Sequence, residues 1–547
     1  MRIGGLASGM DTQQMITDLM KAERMPLDKL IQRRTTLEWQ RDAYRDINLQ
    51  ITNLRDSFRA TGLGLQATFL QKSVNSSNQS VVRATATANA PNTSVQMNVQ
   101  RLATASTYVS QNTLSAEVQD LELKDWNVPG LTFENGVANF EMTVKDPSTG
   151  ESRVASFQLK ETDKLSNVLT TLNSSSLGFN AYMDQNAAAD SPQIVLNMRN
   201  TGANSDINFD QVGEEGDSTK LNNGLALFQS LGFTTVSPTE EGETSTTLSL
   251  EGGRPGTNAR FTLNGHTTER TTNQFTINGV NYSLTGVSSS PDEITMITTQ
   301  TNTDKIFEDI MKFVEQYNEL VDKINGSVNE PRHRDFPPLT DEQRREMTEY
   351  EVEMWEEKAK SGLLRGDSAL NSALSQMRSA MFSVVGVQGD LIRDLSQIGL
   401  VSSPNYMDGG KIVLDHTARE MPNGERMTGE DRLRYYIENH GEELYGFFMG
   451  DGPEASDKGI LRKLRPALEG AMDRITSRAG REGRTNHQFT LGRELINVED
   501  RITNFERRLQ QTEQRYWNQF TAMETAMAQM NSQAEQMWAM VSGMMGN

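Results

Sequence analysis

The sequence predicts an α+β multidomain chain. Long N- and C-terminal helices pair as a coiled-coil stalk, a helical body carries a few strands, and an antiparallel β head is inserted into it. Three observations predict this. Apolar residues recur every seven positions near both ends, the middle alternates apolar and polar residues between turn signals, and helical spacing returns at Thr303. A chain folded back on itself satisfies that order most simply. Its 547 residues allow about three to five domains.

The first helix is expected from Leu27 to Phe58, with Pro26 in its first turn. Leu30, Leu37, Tyr44, Ile51 and Phe58 are seven apart, with mostly charged and amide residues between them. The other end is stricter: Leu495, Ile502, Leu509, Tyr516, Met523, Met530, Met537 and Met544 are each seven apart. Val498, Phe505, Thr512, Gln519, Ala526, Gln533 and Met540 fill the second seam position. A sustained heptad implies coiled-coil packing. No Pro or Gly interrupts Arg493 to Ser542, and a methionine stripe adapts to more than one partner. Such stripes are rarely left uncovered, so at least one terminal helix is expected to contact other subunits.

Between the helical ends, Val82–Ala84–Ala86 and Val95–Met97–Val99 alternate as strands, with Ala90–Thr93 as the turn. Phe140–Val144 and Val154–Leu159 form a hairpin across Asp146–Gly150, and Ile194–Leu196 is another strand. Leu165, Val168, Leu169 and Leu172 have helical spacing, and Leu221 to Leu231 is a second short helix. Phe261–Gly265 recurs as Phe275–Gly279, each ending in the Asn-Gly pair of a tight hairpin. Glu214 to Gly256 is acidic, rich in Gly, Ser and Thr, and expected to be largely loop. Ile306, Ile310, Phe313, Tyr317, Val321 and Ile324 then form one helical stripe, followed by a loop from Gly326 to Pro338. Further helices are expected at Asp341–Lys360, Leu370–Val384, Leu433–Phe448 and Ile460–Ile475, with a turn at Tyr406–Gly410 before the strand Ile412–Leu414.

The expected domains are a leg over 1–70, the body's N-terminal strands over 71–110, and a β head over 111–297 of one or two units that includes the hairpin repeat 259–286. A helical body over 298–484 and a second leg over 485–547 complete the map.

Charge excludes several function classes. Lys and Arg number 53 against 73 Asp and Glu, a net −20. That argues against nucleic acid and against an anionic membrane surface. No apolar run reaches the ~20 residues that span a bilayer. Cysteine is absent, which removes disulfides, thiol catalysis and zinc–cysteine sites. The opening residues show no long apolar stretch, so a Sec signal peptide is not expected. His266, His333, His416, His440 and His487 have no histidine partner at metal-binding spacing, and no phosphate-binding or nucleophile motif occurs. No catalytic residue, cofactor or metal is assigned.

Ile3–Thr12, Leu19–Asp28 and Leu37–Arg45 are similar to the start of one known family, the flagellar filament caps known as hook-associated protein 2. Pro338–Gln343, Trp355–Lys360, Gly362–Ser368 and Phe520–Glu524 extend the resemblance, which is weak from about Ser115 to Glu251. The resemblance implies a cap at the distal tip of a growing bacterial flagellum, exported by the flagellar type III apparatus with the help of a chaperone. It implies a homo-oligomeric ring of about five or six subunits that meets flagellin and hook–filament junction proteins. Flagellin would be retained and helped to fold into place. Contact residues are then expected at Leu6, Leu30, Leu37, Tyr44, Ile51, Phe58, Leu495, Ile502, Leu509, Tyr516, Met523, Met530 and Met537. The leg is expected to be ordered against the filament and loose in free monomers. Two other classes fit the terminal seams or the variable middle: a junction or flagellin-like axial protein, and a surface adhesin whose β head binds host glycans.

Overall fold

The computed structural model describes residues 11–58, 62–111, 118–184, 192–203, 206–209, 218–237, 246–386, 392–421 and 424–545. The helices are α1 Thr12–Ser57, α2 Gln66–Phe69, α3 Leu165–Asn173, α4 Ser218–Ser230, α5 Thr303–Asn329 and α6 Asp341–Glu346. They continue as α7 Glu349–Lys360, α8 Ser368–Met381, α9 Gly429–Asn439, α10 Gly441–Met449, α11 Ile460–Ala479 and α12 Thr490–Met545. The chain divides into two compact units: Met1–Phe69 with Thr303–Asn547, and Leu70–Asn302.

The first unit is a helical bundle. One core joins α1, α5, α8, α9, α10, α11 and the first half of α12. The seven-residue stripe of α1 is its centre: Leu37, Tyr44, Ile51 and Phe58 are buried, and Leu30 is partly buried against them. Each fully buried side chain of this size stabilises by roughly 1.5–3 kcal/mol. The ring of Phe58 meets that of Phe313 on α5 edge to face at 6.0 Å.

Several expected boundaries move. α1 starts at Thr12, so Pro26 lies inside it, costing one backbone hydrogen bond. The start signal is Asp11, whose side chain accepts a hydrogen bond from the Gln14 amide at 2.9 Å. α5 runs through Gly326 to Asn329, shortening the expected loop. The charged helix after Asp341 is two helices, because Thr348 caps α7. The helix expected over Leu433–Phe448 also divides, at His440.

The terminal helices lie side by side and antiparallel. Arg33 faces Glu494 at 3.5 Å, and the Tyr516 hydroxyl donates to Glu23 at 3.0 Å. The pairing is not exclusive, because α1 also packs on α11 and α5. Seven-residue spacing buries one stripe against any helical neighbour, so it does not specify how many neighbours share it.

The second unit holds two β cores. In the first, a five-stranded antiparallel sheet runs Lys72–Ser76, Thr295–Thr301, Thr93–Arg101, Ala259–Leu263, His266–Arg270 in spatial order. A three-stranded sheet of Gln274–Ile277, Val280–Leu284 and Val82–Ala86 shares its core through Met97, Val99, Phe261 and Tyr282. The two Asn-Gly pairs turn as expected: Asn264 and Gly265 take φ 48° and 82°, and Asn278 and Gly279 take 49° and 77°. The repeated Phe261 and Phe275 stack, centroids 4.7 Å apart.

These pairings revise the domain map. The strands of 71–110 were expected on the helical body. Instead Lys72–Ser76 pairs with Thr295–Thr301, and Val82–Ala86 pairs with Val280–Leu284. The hairpin repeat belongs with them, apart from the rest of 111–297. Alternation marks a strand and its buried face, but not which distant strand completes the sheet.

The second β core lies between Ala105 and Leu248. A five-stranded sheet runs Thr235–Val236, Thr246–Leu248, Ile207–Phe209, Val137–Lys145, Ser152–Lys160, and a three-stranded sheet runs Ala105–Val109, Gln193–Thr201, Phe179–Asp184. Phe140 pairs with Phe157 in the expected hairpin, their rings stacked at 4.9 Å. Leu165, Val168 and Leu172 of α3 are buried, as their spacing implies. The described part of the expected loop 214–256 contains α4.

Candidate assembly surface

Thirteen contact residues are expected, Leu6 and twelve on the terminal stripes, and the structure sorts the twelve by depth. Leu37, Tyr44, Ile51, Phe58, Leu495, Ile502 and Leu509 are buried in the helical core, with Leu30 packed against it. These side chains hold the chain together and are not offered outward. Tyr516 and Met523 are half-buried, whereas Met530 and Met537 are each 67% exposed. Leu6 lies outside the described residues.

α12 therefore changes character along its length. Up to Leu509 its apolar stripe is covered by the bundle. Beyond Met523 the stripe continues into solvent, joined by Trp538 at 76% exposure and Met540 at 70%. Unbranched thioether side chains on such a stripe can follow an uneven partner surface. Met540 was legible as a second-seam residue. Trp538 was not, since it falls off the heptad, although a lone Trp beside a methionine stripe is itself a contact signal.

A polar node fixes α1 to the rest of the unit. The Tyr44 hydroxyl donates to Asp367 Oδ2 at 2.5 Å, and Arg478 Nη1 lies 3.4 Å from the same oxygen. Asp367 Oδ1 accepts from the Leu370 amide and so caps α8. Gln40 Nε2 donates to the Leu363 carbonyl at 3.0 Å. Burial first, then the Asp367 carboxylate, push the Tyr44 hydroxyl well above its ordinary value, so it stays a donor at physiological pH. The stretch Gly362–Ser368 thus ties helices that are more than 300 residues apart in sequence. An Asp just before an apolar helical stripe was a readable cap signal; its second bond to Tyr44 was not.

Electrostatics elsewhere are structural. Asp415 takes the Thr417 hydroxyl and amide on Oδ1, and Arg432 and Arg419 on Oδ2. The Thr417 hydroxyl, followed by its amide and the guanidiniums, holds this carboxyl well below the usual carboxylate range. Among the described residues no group of three or more His, Asp or Glu could hold a metal, and no helix is long and apolar enough to cross a membrane.

The node joins segments from both ends of the chain, and the same two ends match a known family. The pattern for the N-terminal part of flagellar hook-associated protein 2 matches residues 8–106, and that for its C-terminal part matches residues 256–532. The protein of Halalkalibacterium halodurans with that name is 34% identical over 97% of this chain and 98% of its own. The chain belongs to the flagellar hook-associated protein 2 family. The Thermotoga maritima member is 24% identical over 97% of this chain and 94% of its own. The fold is similar to the crystal structure of the D1-D2-D3 domains of the Escherichia coli flagellar cap protein FliD, with TM-score 0.51 and 17% identity over 80% of this chain and 96% of that one. Membership makes this an exported flagellar filament capping protein of the filament tip. The junction, flagellin-like and adhesin readings find no support in these relatives.

Proposed function

We propose that this chain caps the filament through its terminal helices, and that the outer part of α12 is the portion that docks. The observation that carries this is the change along α12 from a buried stripe ending at Leu509 to an exposed one at Met530, Met537, Trp538 and Met540. The bundle anchors one end of the helix and leaves the other free for a partner. Flagellin in the filament wall is the partner that the capping role calls for. Docking is apolar and adaptable, which suits a cap that must release and re-engage as each flagellin is added.

A ring of about five or six copies, junction proteins below it and an export chaperone complete the proposed partner set. The reading assigns no chemistry to the chain: retention and guided folding of flagellin require only a covered tip. The test is the pair Met530→Asp and Met537→Asp in cells. Flagellin monomers should appear in the medium while the purified variant unfolds at the same temperature as the parent. Full-length filaments without leakage would refute the docking role of α12.

A further inference from the structure

An acidic chain of net −20 nonetheless gathers four arginines around one cleft. The cleft, about 740 Å³, is lined by Arg332 and Arg334 from the segment after α5, Arg365 from the turn before α8, and Arg478 from the end of α11. Arg478 is engaged with Asp367. The side chains of Arg332, Arg334 and Arg365 are exposed and have no ion pair or hydrogen bond among the described residues.

The backbone beneath them is tightly built. Gly362 has φ +61°, and a Cβ there would sit 2.8 Å from the Arg332 Cα. Its amide donates to Glu330 Oε2 at 2.7 Å, and the Gly366 amide donates to the Val328 carbonyl at 2.9 Å. These bonds lock the turn carrying Arg365 against the segment carrying Arg332. Free guanidiniums on a backbone fixed in this way favour carboxylates, which they bind through paired hydrogen bonds.

The same unit carries the complementary surface. Glu349, Glu353 and Glu357 lie at four-residue intervals on α7, all exposed and without ion partners among the described residues. Four residues of helix advance about 6 Å. Arg332 and Arg334 are separated by at most about 7 Å along the chain.

We propose that the arginine cleft of one copy binds the α7 glutamate stripe of a second copy. The two patches are different residue sets of one chain, and a contact between them can repeat from copy to copy around a closed ring. The ring itself rests on the capping reading; the pairing of these patches does not.

The test uses the full chain with Arg332→Glu/Arg334→Glu as one variant and Glu349→Arg/Glu353→Arg as the other. Sedimentation velocity across a concentration series reads self-assembly. Each variant should need at least tenfold more protein than the parent to assemble. An equimolar mixture should recover self-association at parental concentrations, because each reversed cleft then meets a reversed stripe and each parental cleft a parental stripe. Parental assembly should weaken as salt rises from about 0.05 to 0.5 M. Unchanged thermal unfolding of each variant keeps a folding defect separate, and the salt series needs no variant.

Assembly unmoved by either reversal overturns the proposal, as does a mixture that stays dissociated. A parental chain that remains monomeric at every concentration also overturns it. Reversal of the arginines that leaves self-assembly intact but releases flagellin assigns the cleft to another protein's acidic segment, and the second-copy pairing is then wrong. Failure of capping itself is read independently, from leakage by the Met530→Asp and Met537→Asp variants.

Discussion

Asp415 and Arg432 show what single residues contribute here. Both are buried, at 7% and 2% exposure, and the carboxylate is satisfied by four donors. Asp415→Ala strands the Arg432 charge, so it should cost about 3–5 kcal/mol in urea unfolding. The folded-state carboxyl is depressed. Its stabilising contribution is therefore complete above the unfolded value of about 4 and is lost as pH falls toward the folded value. The gap between parent and variant should be constant from about pH 5 to 7 and shrink below about pH 4. A gap that instead closes on raising pH would contradict this. Tyr44→Phe should cost about 1.5–3 kcal/mol, since it removes a hydrogen bond to a charged group and leaves Oδ2 of Asp367 with Arg478 alone. Neither pairing was legible in sequence. Asp415 and Arg432 stand among many other charged residues, and only the fold brings Tyr44 beside Asp367.

Among the elements, α12 separates two kinds of residue that the heptad made look alike. Ile502→Asp puts a charge into the core and should destabilise the helical unit by at least about 3 kcal/mol. Met537→Asp, on the same stripe but exposed, should leave the unfolding temperature unchanged and still release flagellin. Equal destabilisation by both would mean that the outer helix is packed like the inner one. Helix existence was readable from period and from the absence of Pro and Gly. Burial was not, because a stripe reads the same whether it is covered by its own chain or by a partner's. The strands were equally readable as strands, and the Asn-Gly hairpins even as turn types, since φ > 0 at both positions restricts the residues that fit. What lay beyond reach was pairing over long separations, such as Val82–Ala86 with Val280–Leu284.

For the whole molecule, the strand-rich unit is an insertion whose two ends meet. The Asn302 amide donates to the Gln71 carbonyl at 2.8 Å, and Lys72 pairs with Thr301. Closely spaced ends let a unit be removed without stretching the remainder. Residues 70–302 expressed alone should unfold in a cooperative urea transition. Replacing 72–301 by a short Gly-Ser linker should leave the helical unit folded with its α1, α11 and α12 contacts. A molten far-UV and near-UV profile in that shortened chain would show that the inserted unit is needed for the bundle. The resemblance legible in Leu19–Asp28, Leu37–Arg45 and Gly362–Ser368 lies within the helical unit, where α1 and α12 pack together.

That closure also sets an order of folding. Tyr44 and Asp367 are 323 positions apart, Arg45 and the Ala479 carbonyl 434, and Glu23 and Tyr516 493. A chain that emerges from one end cannot complete these contacts until its last helix arrives. Contacts so distant in sequence close slowly, because the loop entropy must be met before they stabilise anything. The strand-rich unit is contiguous, and its widest pairing, Lys72 with Thr301, spans 229 positions, fewer than any of these. In refolding from denaturant it should acquire its native signal first, with Trp39 and Trp517 reporting the bundle later. Until then the stripe from Leu30 to Phe58 lacks its final cover, and the half-folded chain is at its most prone to aggregate.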